Sequence, residues 1–144
     1  MTNSATAANR GTRTGANAGK FLRLALKLDA VVTAVNGLAY LVAAPVLSDL
    51  FDISATRLRG VGVFLLIFGV LVWLVGTRPA VSRGAVGLVV AVNVIWVVES
   101  LVAAATGLGL GDPSVIARVW IVLQALVVGL FAVLQLMGLR RQQS

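Results

Sequence analysis

Val119–Leu139, VWIVLQALVVGLFAVLQLMGL, runs for 21 residues without a charge. At 1.5 Å per residue a helix of that length reaches about 32 Å, which matches a hydrocarbon core about 30 Å thick. Three more stretches read the same way. Ala30 to Ser48 and Gly60 to Thr77 carry no charge, and Gly84 to Ala105 carries one, Glu99. A buried helix of a water-soluble domain would be shorter and would show a charged outer face. The expected fold is therefore all-α: a polytopic membrane protein, an up-down-up-down four-helix transmembrane bundle.

Composition agrees with the periodicity. Of 144 residues, 59% are hydrophobic and 12% charged, with a mean hydropathy of +0.99. Charged residues make up about a quarter of an ordinary soluble chain, so this one lacks the polar surface that water requires.

The net charge of +7 raises the question of nucleic acid, and its placement answers it. Arg10, Arg13, Lys20, Arg23 and Lys27 precede the first span; Arg78 and Arg83 lie between the second and third; Arg140 and Arg141 follow the fourth. Asp49, Asp52 and Asp112 occupy the other two loops, with Arg57, Arg59 and Arg118 just inside the following helices. By the positive-inside rule both termini and the middle loop are expected in the cytoplasm. Membrane lipids are the expected partner of these basic residues. Nucleic acid is not, because single-strand binding interleaves aromatic rings with the basic residues and none precedes Phe21.

The chain has no cysteine and no histidine. Disulfides, thiol catalysis and histidine-held zinc or haem are thereby excluded, and no metal or other cofactor is expected.

Residues 1–20 form a basic tail without apolar periodicity, expected to be disordered and cytoplasmic. A signal peptide is one rival for the N-terminal region, with Val42-Ala43-Ala44 as its cleavage site; a mitochondrial presequence is another. The apolar run is long for the first, and the tail lacks the amphipathic face needed by the second. The membrane domain is expected over 21–139, with spans near 21–47, 57–76, 79–105 and 113–139, followed by a short cytoplasmic tail at 140–144. Pro45 should kink or end the first helix. Ser54 is the expected N-cap of the second, Pro79 fits the first turn of the third, and Asp112-Pro113 reads as cap and first residue of the fourth. The short link between the second and third spans implies a packed antiparallel hairpin.

Small residues indicate packing seams: Gly62, Gly69 and Gly76 recur every seven positions, and Gly84, Gly87 and Ala91 share a face of the third span. Such stripes let helix backbones approach closely.

Polar stripes carry the functional candidates. Asp29, Thr33, Asn36 and Tyr40 fall on one face of the first span; Asn93, Trp96 and Ser100 share a face of the third, with Glu99 beside them; Gln124 and Gln135 align on the fourth. Turning these stripes inward would let the groups bond across helices instead of facing lipid. Asp29 reads as an anchor near the cytoplasmic interface, within reach of Arg23 or Lys27. Glu99 lies about 9 Å inside the outer end of its helix. It is expected to pair with Arg59, with Arg118 as a further partner. Intramembrane ionisable residues mark function by default, although such a pair could equally clasp helices.

Leu28-Asp29-Ala30, Asn36-Gly37, Leu58-Arg59-Gly60-Val61-Gly62, Asn93-Val94-Ile95-Trp96 and Ser100 resemble segments of small four-helix integral membrane proteins of bacteria that are described only as uncharacterised. The Ala-, Val- and Gly-rich, Lys-poor usage is similar to that of actinobacteria. The resemblance covers 21–139 and implies a bacterial cytoplasmic (inner) membrane, but no activity. Three classes of function stay open. The first expectation is a structural or accessory subunit with a heteromeric membrane partner. The alternative is a small dimeric proton- or cation-coupled transporter using Glu99. The chain resembles small multidrug-resistance exporters in size, but it lacks their glutamate in the first helix. An enzyme is not expected, because no two carboxylates are placed to share acid–base work.

Overall fold

A computed structural model describes residues 2–143, with side chains described over 19–141. Five helices follow one another: α1 (Thr2–Val42), α2 (Ala44–Phe51), α3 (Ala55–Thr77), α4 (Arg83–Thr106) and α5 (Val115–Gln143). Among the described residues there is no strand. Four helical segments, Gly19–Val42, Ala55–Thr77, Arg83–Thr106 and Val115–Arg141, are long and apolar enough to cross a membrane. Within the most apolar 18 residues of each, only 22–39% are buried inside the bundle. Most of the apolar surface thus faces outward, which water would not tolerate in a monomer and lipid would. The protein is a multi-pass membrane protein built as an all-α bundle.

The ends of the helices follow local chemistry. Ser54 caps α3 by accepting from the Arg57 N–H, as its place ahead of the apolar run predicts. Ser82 caps α4 and Ser114 caps α5 in the same way. Pro79 and Asp112-Pro113 therefore lie in links, not in first turns. A serine hydroxyl closer to each helix supplies the cap, and it leaves the proline carbonyls free for arginines described below. Pro45 ends α1 earlier than position 47: the chain bends at Ala43 and restarts as α2 with the proline in its first turn, where a missing N–H costs nothing. The acidic stretch expected as a loop is thus largely helix, closed by Asp52 at φ 53. Residues expected to form a disordered tail continue α1 back to Thr2; an established helix extends at one hydrogen bond per residue. The Arg10 and Arg13 side chains lie outside the described residues.

Packing is uneven around the bundle. α1 runs along α3 on one side and α5 on the other, and α4 runs along α5. α3 and α4 barely touch, so the packed hairpin expected from their short link does not form. The glycines explain the asymmetry. A Cβ on Gly62 would lie 2.7 Å from the Gly37 carbonyl oxygen, and one on Gly69 would lie 3.0 Å from the carbonyl of Ala30. The α3 glycine face is therefore occupied by α1. Gly138 makes the matching close approach of α5 to Leu22. Gly84, Gly87 and Ala91 are exposed, and a Cβ on Gly87 would meet nothing within 4 Å. The expected α4 seam is an outward face, because the polar stripe opposite it is the one drawn inside.

The α3–α4 seam closes and opens along its length. Near the 78–82 link, Leu22, Leu26, Ala30, Val72, Val86 and Val89 form one apolar cluster. Farther along, the Phe64 and Trp96 rings stack at 5.9 Å. Beyond Trp96 the two helices stand apart.

Candidate functional site

Two polar networks hang on α1, a buried one and a partly buried one, on either side of that stack. The first centres on Asp29, 1% exposed. Its Oδ1 accepts from the Thr33 hydroxyl at 3.0 Å; its Oδ2 accepts from Asn93 Nδ2 at 2.9 Å and from Gln135 Nε2 at 2.7 Å. Asn93 Nδ2 also donates to Gln135 Oε1 at 3.1 Å. Three helices, α1, α4 and α5, are tied at one carboxylate.

This overturns the reading of Asp29 as an interfacial anchor beside Arg23 or Lys27. The span begins at Gly19, so Asp29 lies ten residues from one end and thirteen from the other. The basic residues that made this end look interfacial are used elsewhere. Arg23 donates to the carbonyls of Gly76, Arg78 and Pro79, filling orphan acceptors at the end of α3. Lys27 lies 5.9 Å over the Trp73 ring and Arg141 4.9 Å over Phe21. Each long stem passes along apolar surface and delivers its charge toward the helix end.

The second network belongs to Tyr40, Trp120 and Gln124. Trp120 Nε1 donates to the Tyr40 hydroxyl at 2.9 Å, and that hydroxyl donates to Gln124 Oε1 at 2.9 Å. The relay has a direction. An indole N–H can only donate; the Tyr40 hydroxyl accepts from it and gives its own proton to the Gln124 amide oxygen. Gln124 Nε2 is left buried with no partner. A buried unpaired donor of this kind costs about 1–3 kcal/mol. Native structures keep few such groups, and each asks for an explanation.

The nitrogen is also closed to solvent, with less than 1 Å² of accessible surface. A cavity of about 560 Å³ opens where α3 and α4 diverge, lined by Tyr40, Leu58, Trp96, Glu99, Ser100, Trp120 and Gln124, with Leu108–Leu110 of the loop above. Its size falls within the range of small-molecule sites, as does its mixture of apolar walls and a few polar groups. Below Trp96 the void beside Thr33 and Asn93 is only about 20 Å³, room for about one water.

Glu99 borders the large cavity and is exposed; among the described residues it makes no ion pair or hydrogen bond. The Glu99–Arg59 pair expected from the sequence does not form. Arg59 lies on an exposed face of α3, and α3 stands away from α4 at this level. Arg118 is not its partner either. It donates to the carbonyls of Ala104 at 2.6 Å and Pro113 at 3.2 Å, closing the end of α4, and approaches exposed Asp112 at 3.6 Å. Among the described residues the Ser100 hydroxyl, in a residue 9% exposed, has no hydrogen-bond partner, and half-buried Asn36 makes no side-chain hydrogen bond and joins neither network.

No family model matches the chain, and no curated protein or solved structure matches it.

Of the sequence candidates, the structure brings Asp29 to Asn93, and Ser100 to the rim of a cavity shared with Glu99. Arg59 and Arg118 are separated from them. Trp120 was not a candidate, yet it sets the direction of the Tyr40 relay. Its signal was present: it stands four residues before Gln124, so the polar stripe of α5 begins one turn earlier than the glutamines alone suggest.

Proposed function

We propose that this protein binds a small amphipathic molecule from the bilayer in the cavity between α3 and α4, as a small carrier would. The observation that carries this reading is a cavity of about 560 Å³ bordered by Tyr40, Trp96, Trp120, Gln124 and the exposed Glu99. The exposed Glu99 fits a carrier better than a clasp, since a clasp would have held its arginine. The basic residues Arg23, Lys27, Arg78, Arg83, Arg140 and Arg141 favour a bacterial inner membrane with both termini cytoplasmic. In that orientation the cavity opens toward the outer leaflet.

A second reading, an accessory subunit with a heteromeric partner or a homodimer, is favoured by the outward Gly84–Gly87–Ala91 face. Small residues there would let another helix approach. It gives the cavity no role.

Native mass spectrometry of protein extracted gently from its own membrane separates the two. The carrier reading expects the single chain or a homodimer with a bound small molecule, which is lost when Ala103→Phe fills the cavity. A defined protein partner, with no bound small molecule and no change on Ala103→Phe, would support the subunit reading instead.

A further inference from the structure

The polar side chains on the cavity wall fall into two sets. Tyr40, Trp120 and Gln124 are spent on one another: Trp120 donates to Tyr40, Tyr40 donates to Gln124, and the remaining Gln124 nitrogen is closed off. Trp96, Glu99 and Ser100 stand together on one stretch of α4 and are open. Among the described residues the Glu99 carboxylate, the Ser100 hydroxyl and the Trp96 indole N–H make no hydrogen bond or ion pair. Ser100 is 9% exposed, yet its oxygen is not closed off. Among the described residues Gln124 Nε2 is the one buried side-chain atom without a partner, so the unbonded Ser100 oxygen keeps accessible surface, and the residue lines the cavity.

These open groups are two donors and one group that can only accept. A hydroxyl matches them, because it has one proton and two lone pairs. It can give the proton to Glu99 in a charge-assisted bond and accept from Ser100 and Trp96. An ammonium has donors alone and would leave both of those protons without an acceptor. No lysine or arginine lines the cavity, so nothing there holds an anion. Depth narrows the class further. Ser100 stands six residues inside the end of α4 at Thr106, about 9 Å below the helix terminus. A phosphate attached close to the hydroxyl would have to leave water to reach that level, whereas an uncharged alcohol is desolvated at far smaller cost.

We infer that the cavity takes an uncharged lipid alcohol: a long-chain amphiphile with a free hydroxyl and no phosphate, whose hydroxyl donates to Glu99 and accepts from Ser100. Its apolar chain occupies the space between Leu58 of α3 and the Trp96 side of α4. This rests on the proposed function and deepens it, naming the ligand class of the same cavity. A carboxylate already held by an arginine would be a poorer acceptor for a neutral hydroxyl, which gives the unpaired state of Glu99 a use.

The test uses the full chain in lipid nanodiscs on a Trp73→Phe background, so that the remaining tryptophans, Trp96 and Trp120, both line the cavity. Three probes with the same dibrominated chain are compared: a primary alcohol, its methyl ether of equal length, and the primary amine. Bromine quenches tryptophan on contact, and binding is read as saturable quenching beyond that seen with Ala103→Phe, which fills the cavity. The alcohol is expected to bind about tenfold tighter than the ether, which has no proton for the carboxylate, and at least as tightly as the amine. Glu99→Leu should bring the alcohol down to the level of the ether and leave the ether unchanged. Ser100→Ala should weaken alcohol and ether alike, by about fivefold, since both offer an oxygen. Alcohol and ether binding equally, with neither changed by Ser100→Ala, would overturn the ligand class while leaving the cavity as a binding site. An amine that binds tenfold tighter than the alcohol would do the same. If no probe quenched the parent protein more than Ala103→Phe, the ligand class and the cavity reading would both fall.

Discussion

The two polar networks of α1 are built from the same kinds of side chain and are finished differently. Around Asp29, each donor drawn into the interior finds the carboxylate or a neighbouring amide, and the apolar cluster of Leu22, Leu26, Val72 and Val86 seals the space around it. Around Tyr40, the relay stops one group short: the Gln124 amide nitrogen has no partner, and the network borders an open cavity. A satisfied network holds helices together. The other leaves one amide nitrogen without a bond and a cavity at its side. Depth alone does not separate them, since Asp29 is the more central and ionisable group and would be the first choice on that criterion.

The comparison can be broken at its root. Gly62→Val puts side-chain carbon within 2.7 Å of the Gly37 carbonyl and must push α3 off α1, the helix on which both networks hang. The expected loss is about 3 kcal/mol of stability, read as an earlier unfolding midpoint in denaturant titration of the reconstituted protein. Next comes the Asp29 network itself. Asn93→Leu removes a donor to a buried carboxylate and a bond to Gln135, at an expected cost of about 2 kcal/mol. A neutral result would mean that the network is not a clasp. Tyr40→Phe should cost less, about 1 kcal/mol, because interhelical hydrogen bonds between neutral groups in membranes contribute modestly. The smallest effect on stability belongs to Gln124→Leu. It gives up one bond from Tyr40 but removes the penalty of the unpaired amide, so unfolding should shift by less than about 0.5 kcal/mol. A large destabilisation by Gln124→Leu would show that its amide nitrogen is satisfied in the membrane, and the contrast between the two networks would go with it.

Much of the architecture was legible in the sequence because spanning a bilayer is a one-dimensional requirement. Length, the absence of charge and the order of apolar runs are properties of the chain alone, and they yielded four spans and an all-helical bundle. The polar stripes of α1, α4 and α5 were legible as well. Their spacing puts Asp29 with Thr33 and Tyr40, and Gln124 with Gln135, on one face of a helix whatever the neighbours are. Serine caps were readable where one serine stood ahead of a run, as at Ser54. They were misread where a nearby proline or aspartate offered a second choice, as at Ser82 and Ser114.

Partnership between helices was decided only by the tertiary structure. Two glycine stripes, Gly62–Gly69–Gly76 and Gly84–Gly87, look alike in sequence, yet one is pressed against α1 and the other faces outward. Glu99 and Arg59 lie on the same end of the bundle and do not meet, because α3 gives its glycine face to α1 and leaves α4. The sequence by itself determined which groups had to avoid lipid. Which of them would find a partner depended on the angle at which neighbouring helices cross, and that angle is set by close backbone contacts between residues far apart in the chain.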